Sequence, residues 1–193
     1  RLLGAALAHV AEDGITACDL TDLPPGSKLR DVAAPPGWSE ASQWGENCTV
    51  LVLPPGAARL KEAVPEGKLR DLRLARNRAE RIGGWTIEVA TPASLGPLLD
   101  ELIRLHQERW NGTGEAGVFA DPRVLAFHRA AAPGLLARGM LHLQVLRLGG
   151  RVAAAYYVLL AGAGRMLVYL CGFDRAFRHE SPGTILMLSL IHI

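Results

Sequence analysis

The stretch Ser181-Pro182-Gly183-Thr184 has the residue types of an anion-binding site. Serine is favoured just before a helix and proline as its first residue, so the stretch predicts a helix start. The first N–H groups of a helix lack partners inside it and lie at the positive end of the helix dipole. Gly183 leaves room for a phosphate, and the Thr184 hydroxyl adds a donor. The stretch therefore predicts a site for an anion such as a pyrophosphate. A plain capped helix on a sheet is the alternative.

Two residues that could transfer protons precede this helix start. Asp174 and His179 flank the connecting loop, and either could act as a base or orient a second substrate. Asp174 could instead cap the turn after a strand. His179 could instead be solvated beside Glu180.

Four residues in or just after the preceding strand lie close to the same helix start in sequence: Tyr169, Cys171, Gly172 and Phe173. The hydroxyl of Tyr169 could donate a hydrogen bond to a ligand. The alternative for this tyrosine is half-buried packing in the sheet.

A third set of polar and aromatic residues, His106, Arg109 and Trp110, ends a long predicted helix. His106 and Trp110 are one turn apart and therefore share a helix face. A substrate-binding surface is one interpretation. A core tryptophan beside a surface arginine is the other.

Hydrophobic spacing and turn residues predict the elements that would position these residues. Helices are predicted at 1–13, 27–32, 61–81, 92–110 and 121–139, and from Ser181 onward. Strands are predicted at 15–23, 48–53, 85–91, 141–148, 151–160 and 166–171. The last three strands are joined by short glycine turns, which indicates antiparallel hairpins. The order predicts an α+β fold, with a largely antiparallel sheet flanked by helices.

The composition limits the classes of protein to which the chain could belong. The 193 residues are 49% hydrophobic and 21% charged with a net charge of +2, which is ordinary for a soluble domain. The apolar run at 152–173 is interrupted by a glycine turn and Arg165, which favours a hairpin over a membrane span. The three cysteines and six histidines are scattered and predict no metal site, and the odd cysteine count favours the cytoplasm.

Four stretches resemble the GNAT-type acyltransferases of the CelD/BcsL group, which are related in fold to Fem-type aminoacyl transferases. They are "LHQERW" (105–110), "FADPRVLAFHRAAAPGLLARG" (119–139), "LRLGGRVAAAYYVL" (146–159) and "VYLCGFDRAFRHESPGTIL" (168–186). Weaker similarity runs through "DLTDLPPGS" (19–27) and "CTVLVLPPG" (48–56). The group is linked to cellulose or exopolysaccharide biosynthesis.

The resemblance implies tandem GNAT-like lobes. Residues 1–56 would be the tail of the first lobe, 57–84 a helical connection, and 85–187 the front of the second lobe. It also implies acyl-CoA as the cofactor, held by Tyr169, Cys171, Gly172, Phe173, Ser181, Gly183 and Thr184. The catalytic candidates are then Asp174 and His179. His106, Arg109 and Trp110 would lie where the acceptor enters the cleft.

Both chain ends suggest a fragment with two incomplete lobes. "LSLIHI" (188–193) is similar to a translated sequencing adapter and is predicted to be a scar, and Arg1 replaces an initiator Met. The general acid would lie in the missing part, so the fragment is expected to be inactive.

Three functions remain open. The first is acyl transfer, most simply of acetyl from acetyl-CoA, to a small-molecule or sugar-linked amine. The second is Fem-like aminoacyl transfer from tRNA, with arginines at 70, 73, 76, 78 and 81 as the basic surface. The third is a non-catalytic scaffold in polysaccharide synthesis. "RHESPG" replaces the usual Q/R-x-x-G-x-G/A phosphate loop, which favours the second or third, whereas the helix start favours the first.

Overall fold

The computed structural model describes residues 2–21, 23, 26–45, 49–53, 64–162 and 164–190. Contacts divide the chain into two compact units, Arg1–Leu51 and Val52–Ile193. The first unit contains helix α1, Leu2–Glu12, and a 3₁₀ helix, Lys28–Asp31. The Ser27 hydroxyl caps the 3₁₀ helix by accepting from the N–H of Leu29 at 3.3 Å. Both helices were expected from the sequence.

The strands predicted at 15–23 and 48–53 are wrong for the described residues of those segments, which have no regular structure. Asp22 and Cys48 lie outside the described residues. Alternating apolar and β-branched residues form a strand only where a neighbouring strand takes up their backbone hydrogen bonds. Val50 and Val52 are instead 78% and 82% exposed.

The second unit contains the other helices and a four-stranded sheet. In chain order they are α2 (Glu66–Arg81), β1 (Trp85–Val89), α3 (Leu95–Asn111), a 3₁₀ helix (Val118–Ala120), α4 (Pro122–Ala137), β2 (Leu141–Leu148), β3 (Arg151–Leu160), β4 (Met166–Phe173), a 3₁₀ helix (Arg175–Glu180) and α5 (Pro182–Leu190). These elements confirm most of the predicted ones, with ends that differ by a few residues.

Local residue choice explains several of the boundaries. Asp121 caps α4 by accepting from the N–H of Arg123 at 2.8 Å, and Pro122 follows as the first helical residue. Gly149 and Gly150 join β2 to β3 with φ values of 53° and 82°. A tight hairpin of this kind needs positive φ at both central residues, which glycine adopts without strain.

The sheet has the order β1–β2–β3–β4, and every neighbouring pair is antiparallel. One face is covered by α3 and α4, whose leucines pack on Leu143, Val145 and Tyr157. The other face is covered by α2 and α5, which pack on Leu146, Tyr156 and other residues of that face. Full burial of one leucine side chain contributes about 1.5–3 kcal/mol, so the two layers hold β3 and β4 in place.

The predicted α+β class, with an antiparallel sheet flanked by helices, is confirmed. The tandem lobes and the boundaries 1–56, 57–84, 85–187 and 188–193 stay predictions. α2, which the sequence assigned to a connection, shares a buried cluster with α5, and α5 continues to Leu190. Within the described residues, no helix has the length and apolar character to cross a membrane.

Candidate functional site

Strand β4 is the element around which the predicted site residues lie. Leu170 lies opposite Tyr157 of β3, and Val168 lies opposite Val158. Tyr169, between them, therefore has no partner on β3. Such a bulge re-aims one side chain and frees backbone groups, and bulges are frequent beside active sites. In the described part of the chain, β4 pairs only with β3, and its other side is an open edge.

Gly172 brings α3 into direct contact with β4. A Cβ atom at this position would lie 2.6 Å from the backbone nitrogen of His106 and 2.7 Å from the carbonyl carbon of Leu105. Real side chains do not approach backbone so closely, so only glycine allows this packing. Gly172 therefore has a structural role beside the proposed cofactor strand.

His106 closes part of the open edge. Its Nδ1 atom lies 3.0 Å from the carbonyl oxygen of Cys171, and because a carbonyl only accepts, Nδ1 carries the proton. Burial lowers the pKa of His106; the Cys171 carbonyl opposes this, and the charge of Arg109 lowers the pKa further. The ring is therefore neutral near pH 7. Its buried Nε2 atom has no partner among the described residues.

Arg109 reaches the other side of the β4 edge. Its Nη1 donates to the thiol sulfur of Cys171 at 3.3 Å. The guanidinium also lies 5.5 Å from the ring centre of Phe173 and 5.7 Å from that of Trp110. No carboxylate pairs with Arg109 within the described residues, so its charge remains available to an anionic or carbonyl ligand.

Helix α5 begins at Pro182, as the sequence predicts. Ser181 precedes it with a left-handed backbone, φ 49° and ψ 55°, and its carbonyl accepts from the N–H of Thr184 at 2.9 Å. A conventional cap has an extended backbone and a side-chain bond. Among the described residues the Ser181 hydroxyl makes no such bond, so Ser181 marks the helix start without capping it through its side chain.

Tyr156 connects the start of α5 to the sheet. Its hydroxyl donates to the carbonyl of Gly183 at 3.1 Å. Burial raises the pKa of Tyr156 to about 12, the Cys171 thiol adds to the rise, and Arg109 opposes it. On β2, the buried Gln144 donates to the carbonyl of Leu186 at 3.1 Å and fixes the next turn. These bonds hold the helix start beside the Cys171 and Arg109 pair.

The two predicted catalytic residues have structural partners. Asp174 caps the 3₁₀ helix by accepting from the N–H of Ala176 at 2.8 Å, and its carboxylate pairs with Arg151 at 3.3 Å. His179 is exposed, and its Nε2 accepts from Nε of the neighbouring Arg178 at 3.3 Å. The geometry thus gives Asp174 the capping role that the sequence left open. Catalytic roles for Asp174 and His179 stay predictions.

The structure adds aromatic residues that the sequence did not single out. His128 and Phe127 on α4 and Tyr157 on β3 form a cluster with Tyr169, and ring centres are 5.2–5.6 Å from that of His128. His128 lies on α4, one turn after the apolar Val124. A histidine one turn from an apolar residue is the sequence feature that could have indicated His128 as a candidate site residue.

The predicted residues thus form two groups. Arg109, Cys171, Phe173 and the start of α5 are joined through Tyr156 and lie toward the α2/α5 face. Tyr169 lies on the α3/α4 face with His128. This arrangement places the Arg109 cation at the edge of β4 and the neutral imidazole of His128 beside the bulge at Tyr169.

Comparison with known proteins identifies the family to which the chain belongs. No curated protein matches the chain. One solved structure, the C-terminal domain (DUF2156) of a protein described as a putative lysylphosphatidylglycerol synthetase from Agrobacterium fabrum, is 20% identical with a TM-score of 0.43. The match covers 65% of this chain and 37% of that one, so the chain spans well under half of that structure. The family model described as an acetyltransferase (GNAT) domain matches residues 67–192, and the chain therefore belongs to that family.

Proposed function

We propose that this domain transfers an acyl group, most simply acetyl, from acyl-CoA to the nitrogen of an amine. Membership of the acetyltransferase (GNAT) family supports acyl transfer. The observation that carries the proposal is the position of the Arg109 side chain. Its guanidinium, which has no carboxylate partner in the described ranges, lies at the open edge of β4 against the Cys171 thiol.

The residues around Arg109 suit the parts of acyl-CoA. The first turn of α5 offers the N–H of Gly183 to the pyrophosphate, since Pro182 has no N–H and those of Thr184 and Ile185 donate to the Ser181 carbonyl. The open edge of β4 suits the amide arm. Acyl-CoA would supply an activated thioester. Arg109 would balance the negative charge that develops during transfer. Asp174 and His179 remain the sequence-derived candidates for base or acceptor binding.

Calorimetry tests this proposal directly. The chain is titrated with acetyl-CoA and with free CoA, alongside the variants Gly183→Trp and Arg109→Gln. We expect Gly183→Trp to abolish binding, because its Cβ would lie 3.4 Å from the Tyr156 hydroxyl and the indole would displace the start of α5. Arg109→Gln should weaken acetyl-CoA binding by about 10-fold, the size of one charge-assisted hydrogen bond.

Arg104→Gln is the matched control for Arg109, since Arg104 lies on the same helix but pairs with Glu101 at 2.7 Å and Glu108 at 3.0 Å on the surface. It should bind acetyl-CoA like the parent chain. Circular dichroism establishes that each variant is folded. A folded parent chain that binds neither acetyl-CoA nor CoA at millimolar concentration would contradict the proposal.

Aminoacyl transfer from tRNA is the second candidate, because α2 exposes arginines 70, 73, 78 and 81. Two contacts within the chain engage arginines of α2 and weaken the case for a tRNA-binding surface. Arg76 packs 5.1 Å from the ring centre of Trp85, and Arg78 donates to the carbonyl of His179 at 2.8 Å. Filter binding to aminoacyl-tRNA tests this candidate. A chain that binds neither tRNA nor acyl-CoA would favour the scaffold role in polysaccharide or cell-envelope synthesis.

A further inference from the structure

An open groove of about 470 Å³ lies between the start of α4 and the bulge of β4. Its lining residues are Asp121, Arg123, Val124, Phe127, His128 and Tyr169. Phe127 and Tyr169 are 63% and 53% exposed. Large aromatic side chains bury most of their surface in ordinary packing, so two exposed rings facing one groove point to a flat apolar ligand.

Two buried side chains at the groove have polar atoms without partners: His128, which lines it, and Tyr157, whose ring lies 5.5 Å behind that of His128. His128 is 2% exposed and Tyr157 is 1% exposed. Neither Nδ1 of His128 nor the hydroxyl of Tyr157 has a hydrogen-bond partner in the part of the chain that the structure describes. A buried polar atom left unpaired costs about 1–3 kcal/mol, so the fold retains these two groups at a cost. A ligand group in the groove that forms a hydrogen bond with His128 would offset its part of this cost.

The groove lies beside β4, the strand that is proposed to bind the acyl donor. Tyr169 is the bulged residue of β4, and its ring centre is 5.6 Å from that of His128. Gly172 and Cys171, beside Arg109, follow two or three residues later on the same strand. The groove lies on the α3/α4 face, and Arg109 lies at the edge of the same strand. Since no strand lies beyond β4 in the described part of the chain, an acceptor in the groove can reach the thioester around this edge.

We infer that this groove binds the acceptor, a primary amine on a flat apolar body, and that His128 is the base that takes its proton. The inference rests on the proposed acyl transfer and identifies the acceptor side of the same site. The faces of Phe127 and Tyr169 would contact the apolar body, and ring faces also attract an ammonium group before it loses its proton. His128 would then lie at the amine end.

The chemical step balances with these residues. The amine nitrogen attacks the thioester carbonyl, so that a C–N bond forms and the C–S bond breaks. The surplus proton on nitrogen passes to the free ring nitrogen of neutral His128 and then to solvent. CoA leaves as the thiolate and takes a proton from solvent, so this step needs no general acid from the chain, in contrast to the expectation from sequence that the fragment is inactive.

The groups that face His128 fit a base that is neutral near pH 7. Tyr157 on β3 and Tyr169 on β4 are uncharged there, and the groove's two charges, Asp121 and Arg123, pair with each other at 2.8 Å. Burial lowers the pKa of His128. The rate of acyl transfer should therefore rise as pH increases through that lowered value.

NMR of the histidine Cε1–H signals tests the binding half without any cofactor. The full chain is titrated with 2-phenylethylamine, and with 2-phenylethanol as the matched probe without the amine. We expect the His128 signal, assigned with His128→Gln, to shift saturably with the amine and much less with the alcohol. Phe127→Ala should abolish the shift. A His128 signal that does not respond to the amine would overturn the groove assignment.

Kinetics with acetyl-CoA and 2-phenylethylamine test the catalytic half. His128→Gln should lower kcat by about 10²-fold or more, the usual contribution of a general base, and remove the His128 inflection from the pH profile. His128→Phe keeps the ring packing and should lose the same activity. Both variants should bind acetyl-CoA like the parent chain in calorimetry, which a collapsed fold would not.

The outcomes separate the two proposals. If the parent chain transfers acetyl to the amine and His128→Gln keeps its kcat and pH profile, the base assignment is overturned and the proposed function stands. If the amine shifts the His128 signal but acetyl-CoA does not bind, the groove assignment stands, and both the proposed function and the base role fail.

Discussion

At the residue scale, single side chains determine how the backbone of β4 is presented. Gly172 lets α3 approach within contact distance, and His106 then donates to the carbonyl of Cys171. Arg109, one turn further on, reaches the thiol of the same cysteine. One helix thus supplies a neutral hydrogen-bond donor and a cation to one strand residue. Positioning of this kind holds charge in a fixed place beside a reacting group.

The substitution Gly172→Ala tests the close approach. Its Cβ would lie 2.6 Å from the backbone nitrogen of His106, so helix and strand must separate. We expect a loss of about 1–3 kcal/mol in the free energy of unfolding, measured in urea. Gly96→Ala on the same helix is the control, since its Cβ meets no atom within 4 Å and should not destabilise the domain. Equal stabilities would contradict the packing argument.

Stability should decrease at acidic pH because of His106 and His128. Burial lowers both pKa values in the folded state, so the unfolded chain binds more protons once the pH drops below its ordinary histidine value of about 6.5. The stabilisation from the neutral rings is present above that value and is lost as pH falls through the lowered ones. Urea unfolding between pH 7.5 and 5.5 should show the decline, and the double variant His106→Gln, His128→Gln should flatten it. An equally steep decline in the double variant would exclude these two histidines as its cause.

Residue types in sequence predicted part of this site. The helix start at Ser181 follows from a local pattern. The resemblance implied Arg109 as an acceptor-binding residue, and its contact with Cys171 was not predicted. The side-chain role of Asp174 did not, because a carboxylate after a strand suits capping and catalysis equally, and only its bonds to Ala176 and Arg151 distinguish them. His128 was missed because its contacts come from β3 and β4, far away in sequence.

At the element scale, local turn chemistry explains what could be predicted. The hairpins β2–β3 and β3–β4 follow from glycine turns between apolar runs, and each strand has its partner nearby in sequence. The segments 15–23 and 48–53 carry similar residue types, but their described residues have no such partner. Strand propensity is realised only with a neighbour, so a strand is harder to predict than a helix. The bulge at Tyr169 depends on the pairing register, and no sequence pattern indicated it.

At the scale of the whole molecule, the buried core belongs to one part of the chain. Both buried clusters consist of residues between Val64 and Leu190. They enclose the sheet from its two faces, and the candidate site lies where α3, α4 and α5 meet β3 and β4. The family model matches the same region, residues 67–192. The buried core, the candidate site and the family match thus lie in the same part of the chain.

A chain of residues 52–193 should therefore fold and bind as the full chain does. Hydrophobic burial is the main favourable term in folding, and every member of both buried clusters is retained. We expect the thermal midpoint of the sheet and the affinity for acetyl-CoA to be unchanged when residues 1–51 are removed. Leu102→Ala, made in both chains, is the internal comparison, because it empties a fully buried position and should cost about 2–5 kcal/mol in each. A shorter chain that unfolds at a much lower temperature would show that residues 1–51 stabilise the domain. One that keeps its midpoint but loses acetyl-CoA binding would place part of the cofactor site in those residues.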